Sequence, residues 1–192
     1  MRITVFTGSS SGRVPAYIEA ARAVGTAIAE SGSGLVYGGG NVGLMGAVAS
    51  SARDAGGEVI GVMPQALVDK EIAHDDLTRF EVVADMHERK QRMAELGDAF
   101  VALPGGIGTL EEFFEVWTWL QLGMHQKPIA VYDVRGFWSP LRDLVARLVD
   151  EGFVADEFRR SLIVATDPQE LLAKIRDWTP PTPKWVEAPA TA

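Results

Sequence analysis

The stretch Ala99-Phe100-Val101-Ala102-Leu103-Pro104-Gly105-Gly106-Ile107-Gly108-Thr109-Leu110-Glu111-Glu112-Phe113-Phe114-Glu115-Val116-Trp117 reads as strand, turn and helix in immediate succession. The opening apolar run, Ala99 to Leu103, is short and unbroken, as suits a strand covered on both faces. Pro104 and the glycines at 105, 106 and 108 interrupt it, and apolar residues then recur at helical spacing from Thr109 to Leu122. A turn of this composition leaves backbone N–H groups uncovered at a helix N-terminus, where partial positive charge favours an anion. The Thr109 hydroxyl can add a contact.

Working outward, the same alternation fills the chain. Ile3 to Thr7, Leu35 to Tyr37, Val59 to Met63, Phe80 to Ala84, Ile129 to Tyr132 and Leu162 to Ala165 are further candidate strands. Amphipathic or alanine-rich segments lie between them: Ala16 to Glu30, Leu44 to Ala55, His87 to Leu96, Pro140 to Glu151 and Pro168 to Asp177. The pattern predicts one Rossmann-like α/β domain over residues 1–178, a three-layer α/β/α arrangement around a central parallel sheet. Ligands in such folds bind beyond the carboxyl ends of the strands, where strand order reverses. Pro64 to Arg79 is polar and irregular and reads as a loop reaching toward that edge. Residues 179–192 hold Pro180, Pro181, Pro183 and Pro189 and are expected to form a mobile tail.

Composition narrows the function. With 47% hydrophobic and 23% charged residues, the 192-residue chain has an ordinary globular balance and enough length for one sizeable core. A net charge of −8 argues against a nucleic-acid partner, which needs a concentrated basic surface. Without cysteine there is no disulfide, thiolate metal site or thiol nucleophile. The apolar run at the N-terminus is too short for a signal peptide, and no run approaches the roughly 20 residues of a membrane span. A soluble cytoplasmic protein with no membrane partner is expected. His74, His87 and His125 lack metal-ligand spacing, so no metal site is predicted, and Ser9, Ser10 and Ser11 have no evident histidine–acid relay.

Three predicted post-strand loops are rich in glycine: Gly8 to Gly12, Gly38 to Gly43 and Gly105 to Gly108. Together on one sheet edge they suggest a phosphate or nucleotide. Gly38, Gly40 and Gly43 match the dinucleotide pattern, but the following strand ends at Pro64 without the acidic residue that would hold a ribose, which disfavours NAD.

Two charges fall on the wrong helix faces. Glu111, Glu115 and Thr118 form the polar stripe of the helix after Pro104, and Glu112 lies off it, beside Val116 and Trp119. Arg89 shares a face with Met86, Met93 and Leu96. A buried arginine requires a carboxylate or a ligand anion, and a buried glutamate near an anion site is a candidate for chemistry. The alternative for Arg89 is snorkelling from a solvated charge run, and Lys90 beside it reads as surface. The aromatic residues of the Glu112 helix suit a core or a subunit interface.

Met86-His87-Glu88-Arg89-Lys90 with Pro104-Gly105-Gly106-Ile107-Gly108-Thr109-Leu110-Glu111-Glu112 resembles the paired signature of the Lonely Guy proteins, cytokinin riboside 5′-monophosphate phosphoribohydrolases often labelled lysine decarboxylases. The likeness extends from Val5 through Tyr37-Gly38-Gly39-Gly40 to Lys127-Pro128. It implies hydrolysis of the N-glycosidic bond of an N6-modified AMP, with Arg89 and Glu112 catalytic and no cofactor. It implies substrate contacts among Gly8, Ser9, Gly39, Gly40, Glu71, Met86, Lys90, Gly105, Gly106, Gly108, Thr109 and Thr118, and a homodimer. Thr7 stands where many relatives have cysteine. Competing readings are a non-catalytic nucleotide or molybdenum-cofactor carrier of the same fold and a pyridoxal-phosphate decarboxylase, for which no lysine stands out.

Overall fold

The computed structural model describes residues 1–68, 74 and 76–184. Seven strands, β1 (Arg2–Phe6), β2 (Gly34–Tyr37), β3 (Val59–Pro64), β4 (Arg79–Val83), β5 (Ala99–Ala102), β6 (Ile129–Tyr132) and β7 (Ile163–Ala165), form one sheet in the order β4-β3-β2-β1-β5-β6-β7. Every neighbouring pair is parallel. The connecting helices are α1 (Pro15–Glu30), α2 (Gly43–Asp54), α3 (Gln65–Val68), α4 (Met86–Leu96), α5 (Ile107–Gln121), α6 (Ser139–Asp150), α7 (Asp156–Ser161) and α8 (Pro168–Arg176).

The period-2 pleat divides the core in two. On β5, Ala99 and Val101, with Leu103 just beyond it, pack with α1, α2 and α8, while Phe100 and Ala102 face α4, α5, α6 and α7. Both faces of the inner strands are covered and those strands are largely apolar, as expected of an all-parallel sheet, whereas the edge strand β4 carries Arg79 and Glu81 and is fully buried only at Val83. The layering is the three-layer α/β/α arrangement that the alternation of the sequence predicts.

Strand order reverses between β1 and β5, because the chain builds outward to β4 and then returns to pair β5 with β1. Loops leaving the two strands diverge and open a crevice at their carboxyl ends. The described ends of the stretch read as a loop, 64–68 and 79, belong to regular elements. Pro64 completes β3, and four residues after it form a helical turn, α3. The charged segment Asp156–Ser161 also forms a helix, anchored by Phe158, which is 1% exposed. Beyond α8, the chain runs back so that Lys184 N–H donates to the Gln121 carbonyl at 2.9 Å.

Helices α1 and α2 approach closely where Gly25 faces Val48 and Ala52; a Cβ on Gly25 would overlap the Val48 carbonyl and lie 3.2 Å from Ala52 N. Gly25→Ala is expected to cost about 1–3 kcal/mol through overpacking, seen as a lower urea midpoint at unchanged m-value.

Candidate active site

The crevice between β1 and β5 narrows to a cavity of about 260 Å³, with Thr7, Gly8 and Ser9 on one wall and Gly106, Ile107, Gly108 and Thr109 on another. Gly38, Met45, Arg89, Met93 and Glu112 complete it. A larger, more open depression lies at the opposite edge, lined by Arg2, Glu58 and Asp98. There Arg2 is already bound by Glu58 at 2.8 Å, and the glycines that line it, Gly32, Gly34, Gly56 and Gly57, follow the C-termini of α1 and α2, which do not favour an anion.

Backbone hydrogen bonds tie the glycine turns together. Gly8 N–H donates to the Pro104 carbonyl at 3.2 Å, and the Thr7 hydroxyl donates to the same oxygen at 3.2 Å. The Gly8 carbonyl accepts from Leu44 and Met45 N–H at 3.1 and 3.3 Å, which satisfies the start of α2. Helix α4 is capped by Asp85, whose carboxylate accepts from His87 and Glu88 N–H. Helix α5 differs: Gly106 is its N-cap without a capping side chain, and among the described residues no other carbonyl takes its first amides. Those donors face the cavity as an anion site.

The glycines divide into two kinds. A Cβ on Gly105 would overlap Thr109 Oγ1, and one on Gly38 would overlap the Arg89 guanidinium, so both serve close packing. A Cβ on Gly106 or Gly108 would meet no protein atom within 4 Å. Nothing inside the protein requires glycine at these two positions, which leaves room at the helix start for a ligand.

Arg89 is 8% exposed. Its Nε donates to the Val62 carbonyl at 3.1 Å, within β3, and its Nη2 to the Gly38 carbonyl at 2.9 Å, just after β2. The remaining nitrogen, Nη1, lies 3.8 Å from Met86 Sδ and 3.9 Å from Glu112 Oε1. At 3.9 Å the two charges attract without a hydrogen bond. Glu112 is 9% exposed, and burial pushes its carboxyl up to about 7. Arg89 and Lys90 oppose that rise, while Glu111 and Glu115 add to it. A carboxyl poised there exchanges a proton near neutral pH.

Of the residues expected at the site, Arg89, Glu112, Gly8, Ser9, Gly106, Gly108 and Thr109 line the cavity together. Met86 stands exposed beside Arg89. Gly105 and Gly40 are not lining groups, and Gly39, at φ +81°, faces Met63 and Phe80. The Lys90 ammonium is drawn to Glu111 and Glu115 rather than the cavity. Thr118 is exposed and donates back to the Phe114 carbonyl at 2.7 Å. Glu71 lies outside the described residues. Thr7, Gly38 and Met45 join the site without having been singled out for it; Thr7 and Gly38 end or follow strands at the glycine turns, the signal that could have found them. Among the described residues, no group of three His, Asp or Glu could hold a metal ion, and no helix is long and apolar enough to cross a membrane.

Residues 45–175 match the family described as "Possible lysine decarboxylase". The chain is 46% identical over 179 residues to the LOG7 cytokinin riboside 5′-monophosphate phosphoribohydrolase of Arabidopsis thaliana, covering 93% of this chain and 82% of the relative. It is 48% identical over 175 residues to the cytokinin riboside 5′-monophosphate phosphoribohydrolase of Rhodococcoides fascians, covering 91% and 88%. The chain belongs to the Lonely Guy family. Among solved structures, the molybdenum cofactor carrier protein of Chlamydomonas reinhardtii superposes with a TM-score of 0.70 at 22% identity, covering 91% of this chain and 95% of that one. That likeness shows a shared fold.

The two kinds of glycine make opposite predictions. Gly106→Ala should leave the melting temperature within about 2 °C of the parent yet weaken AMP binding at least about 10-fold by calorimetry, since the added methyl meets only ligand. Gly38→Ala should lower the melting temperature by displacing Arg89.

Proposed function

We propose that this protein hydrolyses the N-glycosidic bond of cytokinin riboside 5′-monophosphates, releasing the free base and ribose 5-phosphate. The observation that carries the reading is a buried carboxyl poised at about 7, 3.9 Å from a buried arginine, beside an uncapped helix N-terminus. The 5′-phosphate sits on the α5 amides, with Gly8, Ser9, Gly106, Gly108 and Thr109 around it. The ribose then lies over Glu112. As the C1′–N9 bond breaks, positive charge grows on the ribose, and the Glu112 carboxylate opposes it. Water adds at C1′ and loses a proton to Glu112, and N9 of the departing base takes up a proton, so that one water is consumed. Arg89 Nη1 holds the ligand, with the rest of its guanidinium fixed by backbone carbonyls.

The relatives' activity supports this assignment, and the cavity-lining residues include no lysine to form an imine, against a pyridoxal-dependent decarboxylase. We place the enzyme in the cytoplasm, in keeping with a chain that lacks cysteine. We also propose a homodimer. Leu122 and Met124 are 45% and 67% exposed, and a groove of about 530 Å³ lies beside Met124 and Trp119, an apolar surface that a second copy would cover.

Incubation with N6-isopentenyl-AMP and with AMP, followed by chromatography, should show free base; tight binding without turnover would mark a carrier instead. Glu112→Gln should lower kcat by about 10²–10⁴-fold with the fold intact. For the parent, kcat/KM should rise with pH through about 7, because the ionised carboxylate is the working form, and one pH unit below that midpoint should be about 10-fold below its high-pH plateau. Sedimentation should give twice the 20.7 kDa chain mass, and Met124→Asp should shift it toward the monomer.

A further inference from the structure

Lys90 follows Arg89 on α4, and Glu111 precedes Glu112 on α5, so the two helices face each other through two adjacent charged rungs. The Arg89–Glu112 rung spans 3.9 Å. The Lys90 rung is closed: its ammonium donates to Glu111 Oε1 in a short contact and to Glu115 Oε1 at 3.0 Å. Lys90 is 8% exposed, an unusual environment for a lysine that only decorates a surface. Burial would lower its affinity for a proton, but the two carboxylates outweigh that and hold the ammonium above the ordinary lysine value. Its charge is therefore permanent under working conditions.

The charges around Glu112 explain why such a clasp matters. Facing its carboxylate are Arg89 and Lys90 from α4 and Glu111 and Glu115 from its own helix, whereas the neighbouring cavity groups from the loop after β1 and from α2, Thr7 and Met45, are neutral. Without Lys90, three glutamates would share one arginine. We propose that Lys90 is a positioning residue, whose ammonium clasps Glu111 and Glu115 to hold α4 against α5 and balance the charge around the reacting carboxylate, rather than a contact to the substrate. The inference rests on the proposed hydrolase reading for its consequence in catalysis, but the clasp itself can be read without turnover.

The test combines the pH profile of kcat/KM on N6-isopentenyl-AMP with direct titration of the Glu112 carboxyl by 13C NMR in the free protein. Lys90→Met removes a positive charge and unmasks two negative ones, so the Glu112 midpoint should move upward by about half a pH unit or more in both measurements. Lys90→Arg should keep it near the parent value. Glu111→Gln/Glu115→Gln should move it downward, and combining those changes with Lys90→Met should bring it back toward the parent. This opposite shift keeps the test decisive if Lys90→Met folds poorly. An unmoved midpoint in the Glu111→Gln/Glu115→Gln protein would overturn the proposal, as would a Lys90→Met protein with raised KM and an unchanged midpoint. If the parent releases no base from the nucleotide, the hydrolase reading fails while the NMR titration still decides the clasp.

Discussion

The site depends on where the Arg89 guanidinium ends. Burying such a cation is costly unless its donors are satisfied, and here two of them meet the carbonyls of Gly38, just after β2, and of Val62, within β3. Those carbonyls are fixed by the sheet, so the charge is fixed with them. Gly38 must be glycine because the guanidinium occupies the space its Cβ would take. A buried cation anchored in this way makes a buried Glu112 tolerable nearby, without neutralising it through a direct hydrogen bond.

The same economy shapes the anion site. Gly8 supplies the carbonyl that completes α2 and the amide that grips Pro104, binding the loops after β1, β2 and β5 into one wall. With α2 satisfied from within and α4 capped by Asp85, the unused amides gather at the start of α5. A phosphate dianion placed there would be met by neutral donors and one fixed arginine. The protein therefore needs no basic surface, which accords with its net charge of −8.

Much of this was legible in the sequence, for identifiable reasons. The strands fall within a residue or two of the apolar runs because an all-parallel sheet buries both faces of its inner strands and leaves them largely uninterrupted; only the edge strand β4 is broken by a charge, Glu81. Arg89 and Glu112 were legible because each breaks the polar stripe of its own helix, and burial confirms that both do. Helix α7 was not: its six residues are too few to show a period, and only Phe158 is buried. Lys90 read as surface because its partners sit 21 and 25 positions away on a stripe that looks solvated when α5 is taken alone. Side-chain pairing between helices is set by their packing, which no single-helix pattern contains.

The fold alone does not separate a catalyst from a carrier, since the carrier proteins share it at 22% identity. The spacing of the charge pair does more. A buried pair kept for stability gains most when the carboxylate receives the guanidinium's donors directly, because the desolvation of both groups is then offset by short hydrogen bonds. Arg89 instead spends its good contacts on backbone carbonyls and holds Nη1 at 3.9 Å from Glu112. Closing that gap would stabilise the empty protein and drive the carboxyl toward permanent ionisation. Left open, it keeps Glu112 near neutrality and both groups turned to the cavity, so their unmet interactions are available to a ligand whose ribose gains positive charge as its base departs.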